Sequence, residues 1–573
     1  MKRFSSVIQT QKRLLAIFFA VAFLFVLLLG RLGYVSLVKM SEYQTMALSQ
    51  WTRDVPNEAV RGDILDRNGI VLATTNTTYD LYSRNNMITE KQQTAISLAN
   101  YIDVSYEELY VQLSKNVSEV CIASGLSKEE MEKLQNSGID GLYFSVSWER
   151  VYPYGDLLCQ TIGYVGTDGS GQSGLELLYD EYLSGTDGKI YTQTDIVGVE
   201  VEGEQYVTAA IDGMDIVLTI DVEIQMILEN ALKTAAVSSN PESISGIIMD
   251  PETFEVLAIA NYPTFDLNDV PRDDISYLNE ISRNLAIVDV YEPGSTFKII
   301  TAAMNVEEYS LGNENAFSTD YIFSSSPTRN VGGTTVKCWD KHLNGKHSNL
   351  NLQGALENSC NPIFVDIALS LGTETFYDYL EAFGLTTKTG IDFIGEANSI
   401  LIAQENVQDH DLARIGFGQT VAVTKIQLLS AVSGAINGGY IYEPTLLKEV
   451  TTGGMLVFKN TSELVSNPIS EDTSEYIRTA LQGVVESGSG KKAMVAGEIV
   501  GGKTGTAQKY ENGVIASGKY VSSFVGYLGD PARYSILITV DEPEGIYYGS
   551  QVCAPIASEV FTQIAILEDL QEM

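Results

Sequence analysis

The sequence predicts a mixed α/β protein carried on one membrane-spanning helix, and three observations predict it. An unbroken apolar run occupies residues 14–29. Short alternating segments broken by turn pairs such as Asn68-Gly69 mark β-hairpins in the first half. Beyond residue 212, strand-like segments stand beside long helical ones, the pattern of sheets covered by helices. With 45% apolar and 19% charged residues, the 573-residue chain is globular rather than disordered.

Taken in order, the anchor comes first. Lys2, Arg3, Lys12 and Arg13 precede the apolar run, and Gly30, Arg31 and a mostly apolar 32–38 follow it. Residues 14–38 are enough to cross a bilayer, which needs about 20. The basic flank places residues 1–13 in the cytoplasm and the bulk of the chain outside. No small-x-small cleavage site follows, so a retained single-pass anchor is expected.

Residues 39–211 are expected to form an elongated, non-catalytic α+β pedestal. Residues 41–60 read as a polar helix leaving the membrane. Asn68-Gly69, inside Arg61-Gly62-Asp63-Ile64-Leu65-Asp66-Arg67-Asn68-Gly69, predicts a scaffold hairpin. Helical patterns cover 92–101 and 127–135, a strand is expected at 117–123, and 150–155 and 174–179 read as loops. No histidine falls in this span, and no nucleophile, base and orienter gather there.

A boundary near Asp212-Gly213-Met214 opens the second domain, 212–573. A strand at 217–220, a helix over 222–236 capped by Asp221 and a hairpin over 246–260 follow.

Composition narrows the chemistry. The chain holds 36 basic and 74 acidic residues, a formal charge of −38, and six of the basic ones lie in the first forty positions. So acidic a body argues against nucleic acid. Three histidines (His342, His347, His410) disfavour a Ser-His-Asp triad. Five cysteines (121, 159, 338, 360, 553) are too few for a disulfide scaffold and lack the short paired spacings of a zinc site. No metal or cofactor is expected.

The chemistry concentrates at Glu292-Pro293-Gly294-Ser295-Thr296-Phe297-Lys298. A helix beginning near Ser295 sets Ser295 and Lys298 one turn apart, and a lysine in a water-poor site can act as base to a serine. Alone the pair is weak, since Ser36/Lys39 and Ser489/Lys492 share its spacing and Ser295 also suits a helix N-cap. Ser359-Cys360-Asn361 follows, then Gly501-Gly502-Lys503-Thr504-Gly505-Thr506. Lys388-Thr389-Gly390 is a decoy that runs into a turn, whereas glycines around Lys503 suit a strand lying bare against a ligand.

The order S-x-x-K, S-x-N, K-T-G resembles that of penicillin-binding proteins and serine β-lactamases. Anchor, R-G-D-I-L-D-R-N-G, Y-P-Y-G, G-L-E, E-P-G-S-T-F-K, G-F-G-Q and K-T-G-T-A-Q together resemble a class B penicillin-binding protein, nearer its septal or sporulation branch. Cys360 replaces the usual middle aspartate, and Lys425 stands where the family often has proline.

The resemblance implies a transpeptidase domain built on a five-stranded antiparallel sheet with helices on both sides. It implies a peptidoglycan D,D-transpeptidase acting at division, with Ser295 as nucleophile, Lys298 as base and Ser359 as proton relay. Asn361, Lys503, Thr504, Gly505 and Thr506 would bind the peptide, and the N–H groups of Ser295 and Thr506 would form the oxyanion hole. The implied partners are stem peptides, β-lactams as covalent inhibitors, division proteins and a SEDS-type glycan polymerase. A β-lactam-hydrolysing or sensing relative and a silent divisome scaffold are the alternatives. Cys338 and Cys360 could pair in a disulfide holding the S-x-N loop, or stay as two buried thiols.

Overall fold

Without one polar side chain between Leu14 and Leu29, the N-terminal segment can satisfy its backbone in lipid only as a helix. It forms one, Lys2–Gly33, continued by a π-helical turn at Tyr34–Val38. The computed structural model describes residues 2–40, 43, 52–117, 119–193, 206–339, 347–511 and 514–572. Thr10–Val38 is long and apolar enough to cross a membrane. Gly549–Gln571 passes the same test, but there Cys553, Ala557, Val560, Phe561 and Ile564 are buried in a core, as suits a structural helix.

Two compact units emerge. One combines residues 1–59 with 185–212 and holds the anchor helix and an antiparallel three-stranded sheet, Thr52–Asn57, Gly188–Gln193 and Tyr206–Thr208. The expected polar helix over 41–60 is therefore corrected at 52–57, which a partner strand over 130 residues away draws into a sheet. Residues 41, 42 and 44–51 lie outside the described residues.

The other unit combines 60–184 with 213–573. Its first sheet runs Met455–Lys459, Leu447–Thr452, Asp215–Leu218, Ile64–Leu65, Val71–Ser83 and Val120–Leu126, with Leu142–Val151 also pairing Val71–Ser83. The hairpin predicted at Asn68-Gly69 is present, with Gly69 at φ +85° and Ile64 opposite Ala73. The helices Lys91–Leu98 and Lys128–Gln135 fall where periodicity predicts them, the second opened by a Ser127/Glu130 capping box.

The segments read as loops at 150–155 and 174–179 are more regular. Arg150 lies in the strand Leu142–Val151, and Glu176 sits in the helix Gly174–Leu178. Glu176, fully buried, accepts from Arg61 Nε and Arg150 Nε, each at 2.7 Å, and Arg61 also reaches Asp180 at 2.6 Å. Single-sequence patterning does not reveal such a network, because its four charges come from three separate stretches of the chain.

The second sheet is antiparallel throughout, in the order Val256–Tyr262, Ser243–Met249, Tyr534–Asp541, Val514–Leu528, Val500–Glu511. Alternate residues serve two cores. Ile536 and Ile538 face the helices Val222–Ser239 and Gly549–Glu572, while Leu537 joins the core holding Phe297, Ile299 and Leu428. Asp221 caps Val222–Ser239 by accepting from Glu223 N and Ile224 N, as expected.

Candidate active site

Glu292-Pro293-Gly294 ends the short strand Val290–Tyr291, and Gly294 takes φ +57°, a value glycine adopts without cost. A 3-10 turn, Gly294–Phe297, comes before the α-helix Lys298–Ser310. Ser295 therefore rides on that turn rather than capping the α-helix, whose N-cap residue is Phe297. The G-F-G-Q segment braces the turn from behind: Gly294 N donates to Gly418 O at 2.8 Å, Thr420 N to Glu292 Oε1 at 2.9 Å, and Thr301 Oγ1 to Gly416 O at 2.9 Å. Burial raises the Glu292 carboxyl above the usual carboxylate range.

Lys298 is fully buried. Its Nζ donates to Asn361 Oδ1 at 2.6 Å, Ser359 O at 2.9 Å and Ser359 Oγ at 3.1 Å, spending all three ammonium protons. Burial lowers its pKa to about 8, partly opposed by the nearby Cys338 and Cys360 thiols. Among the described residues no carboxylate pairs with it, and none hydrogen-bonds Ser295 Oγ.

Ser359 stands at φ +52°, after the helix Leu352–Glu357, and Asn361 opens Asn361–Leu371 with Pro362 in the first turn. Proline suits that position because the N–H it lacks has no helical partner there. The result turns Ser359 and Asn361 together onto Lys298, and Asn361 Nδ2 donates to Lys337 O at 3.1 Å.

Lys503, Thr504 and Thr506 lie on the edge strand Val500–Glu511. Lys503 is fully buried, donates to Thr504 O at 3.1 Å, and is held well below its ordinary pKa by burial and then by Lys298. No carboxylate among the described residues neutralises it. Thr506 Oγ1 donates to Gly505 O at 2.9 Å and accepts from Gly549 N at 3.0 Å. A Cβ on Gly505 would fall 2.4 Å from Ser523 Oγ and 2.9 Å from Pro293 O. Its missing side chain thus lets the turn bearing Ser295 seat against the strand. The decoy behaves as a turn: Thr389 N and Oγ1 both donate to Glu396 Oε1, and Gly390 takes φ +84°.

The S-x-x-K, S-x-N and K-T-G elements thus meet in one place. Residues 244–562 match the penicillin binding protein transpeptidase domain. The chain belongs to the penicillin-binding protein family. Residues 56–218 match the penicillin-binding protein dimerisation domain. Stage V sporulation protein D of Bacillus subtilis is 35% identical over 562 residues, covering 96% of this chain and 85% of that one. Peptidoglycan D,D-transpeptidase FtsI of Escherichia coli is 26% identical, over 92% and 87% of the two chains. Penicillin Binding Protein 2X from Streptococcus thermophilus shares the fold at TM-score 0.76 and 23% identity, covering 91% of this chain and 81% of its own.

As a penicillin-binding protein the chain has details of its own. Cys338 and Cys360, candidates for a disulfide or for two separate thiols, are not joined by a disulfide bond. The two sulfurs lie within 4.8 Å of each other, with Ser325 Oγ 3.3 Å from Cys360 Sγ and His347 Nδ1 3.5 Å from Cys338 Sγ. Lys425 opens the helix Lys425–Ile436 behind Thr424, a position where proline fits equally, and its Nζ donates to Leu285 O at 2.7 Å. A cavity of about 570 Å³ lies beside the site, lined by Tyr291, Glu292 and Lys425 but not by Ser295. Sequence reasoning missed the bracing role of Gly416 to Thr420, for which the G-F-G-Q string was the available signal.

Proposed function

We propose that this protein cross-links peptidoglycan stem peptides as a serine D,D-transpeptidase, through a Ser295 acyl-enzyme. The observation that carries the reading is Lys298, a buried lysine without a carboxylate partner among the described residues, bonded to Ser359 and Asn361. Ser295 Oγ attacks the carbonyl between two terminal D-alanines as neutral Lys298 takes its proton. The backbone N–H groups of Ser295 and Thr506 stabilise the oxyanion, where losing one donor costs about 10²–10³ in rate. The C–N bond breaks, Ser359 passes a proton to the departing D-alanine, and an amine of a second stem peptide resolves the ester and frees Ser295. Lys503, Thr504 and Thr506 hold the terminal carboxylate, Gly505 keeps the strand close to the turn, and Asn361 holds the donor amide.

In this reading residues 39–211 are the pedestal and 212–573 the transpeptidase domain, with 1–13 cytoplasmic and the catalytic domain outside the membrane. Glycan polymerisation falls to a partner of the SEDS type, and β-lactams acylate the same serine. The test is labelling of the full chain by a fluorescent penicillin. Ser295→Ala is expected to abolish it, and undiminished labelling would remove Ser295 as nucleophile. Rapid turnover of nitrocefin by the wild-type chain would favour a hydrolase instead.

A further inference from the structure

Behind the Ser359–Asn361 loop the fold gathers three metal-ligating side chains that are widely spaced in sequence. Cys338 follows the strand Thr334–Lys337, Cys360 precedes the helix Asn361–Leu371, and His347 lies between them in the chain. Cys360 is fully buried and His347 only 1% exposed. Cys338 Sγ and His347 Nδ1 are 3.5 Å apart, and all three ligating atoms lie within 4.8 Å of one another. Ligands around a tetrahedral zinc, at roughly 2.3 Å for sulfur and 2.0–2.1 Å for nitrogen, stand about 3.5–3.8 Å apart. Small side-chain rotations therefore suffice to bring all three onto one ion. The Trp339 ring meets His347 edge-on at 5.5 Å, and its Nε1 donates to Asn358 O at 3.0 Å, so the imidazole is tied to the same loop.

We propose that Cys338, His347 and Cys360 bind one Zn²⁺ that fixes the Ser359–Asn361 loop from behind. Two thiolates and a neutral imidazole suit a d¹⁰ ion that accepts sulfur and nitrogen together. Both thiol protons leave to solvent on binding, and the two thiolate charges cancel those of the ion, so the buried cluster is neutral. No electron changes hands. Oxidation of the same sulfurs to a disulfide is the competing fate, and it excludes the metal. Cys360 lies between Ser359 and Asn361, so holding its sulfur holds both partners of Lys298. The metal site is independent of the acyl-transfer reading, since its content is measured without turnover.

The test uses the full chain in detergent, purified with a non-chelating reductant, incubated with Zn²⁺ alone and desalted. Elemental analysis is expected to find about one zinc per chain. Cys338→Ser and His347→Ala are expected to lose it and Cys121→Ser to keep it. Because a variant could misfold, two measurements on the wild-type chain stand beside these. Cobalt(II) in place of zinc is expected to give a thiolate-to-metal charge-transfer band, and chelation to expose two further thiols to alkylation. A wild-type chain that retains no zinc, zinc retained equally by Cys338→Ser and His347→Ala, or a Cys338–Cys360 disulfide formed in the presence of zinc would each overturn the proposal.

Discussion

Lowering the pH from 8 to 6 is expected to slow acylation of Ser295 by about fiftyfold. In the proposed mechanism the base is the neutral amine of Lys298, whose pKa burial brings down to about 8. Below that value each pH unit leaves about tenfold less neutral amine, so acylation falls with a slope of one. Asn361→Ala sharpens the test. Its Oδ1 accepts from Lys298 Nζ at 2.6 Å, a bond that favours the charged form. Hydrogen bonds to charged groups are worth about 1.5–3 kcal/mol, and one pKa unit is about 1.4 kcal/mol, so the variant's midpoint should move down by roughly one to two units. Single-turnover acylation by a chromogenic β-lactam, followed from pH 5 to 9.5, measures both midpoints, whatever happens to the absolute rate. A profile flat across that range, or an upward shift in the variant, would refute Lys298 as the base.

Three further outcomes are expected. Glu176→Gln leaves Arg61 and Arg150 without their shared buried carboxylate, which should cost about 3–5 kcal/mol and lower the thermal midpoint clearly; an unchanged melting curve contradicts the network's role. Gly505→Ala forces a Cβ against Ser523 Oγ and Pro293 O and displaces the turn bearing Ser295, so acylation should drop about a hundredfold while the fold persists. Lys503→Ala should lower acylation efficiency by roughly ten- to a hundredfold for ligands bearing a carboxylate, and much less for their methyl esters.

The catalytic elements were legible because each is a short local string whose neighbours announce its setting. Proline and glycine before Ser295 foretell a turn, and glycines around Lys503 distinguish a close-approaching strand from the turn at Lys388. What supports those strings was not legible. Gly418 reaches Gly294 across more than a hundred residues, and the strand at 52–57 exists because 188–193 pairs with it. The grouping of Cys338, His347 and Cys360 likewise follows from the fold, since none of their spacings matches a short metal motif. Even Ser295 shifted, because a 3-10 turn and an α-helix share the same local pattern and only tertiary bracing separates them.

The order of strands in the second sheet has a consequence for how the protein is made. Tyr534–Asp541 lies in the middle of that sheet, bonded on one side to Ser243–Met249 and on the other to Val514–Leu528. The ribosome therefore releases Ser295 and Lys298 long before the strand that joins the early hairpin to Lys503. Until residue 541 has emerged, the early hairpin lacks its neighbour and the late strands have nothing to join. Pairings between segments so distant form slowly. The proposed nucleophile thus waits unaligned until Tyr534–Asp541 has been made, and the site assembles in one late step rather than growing with chain length.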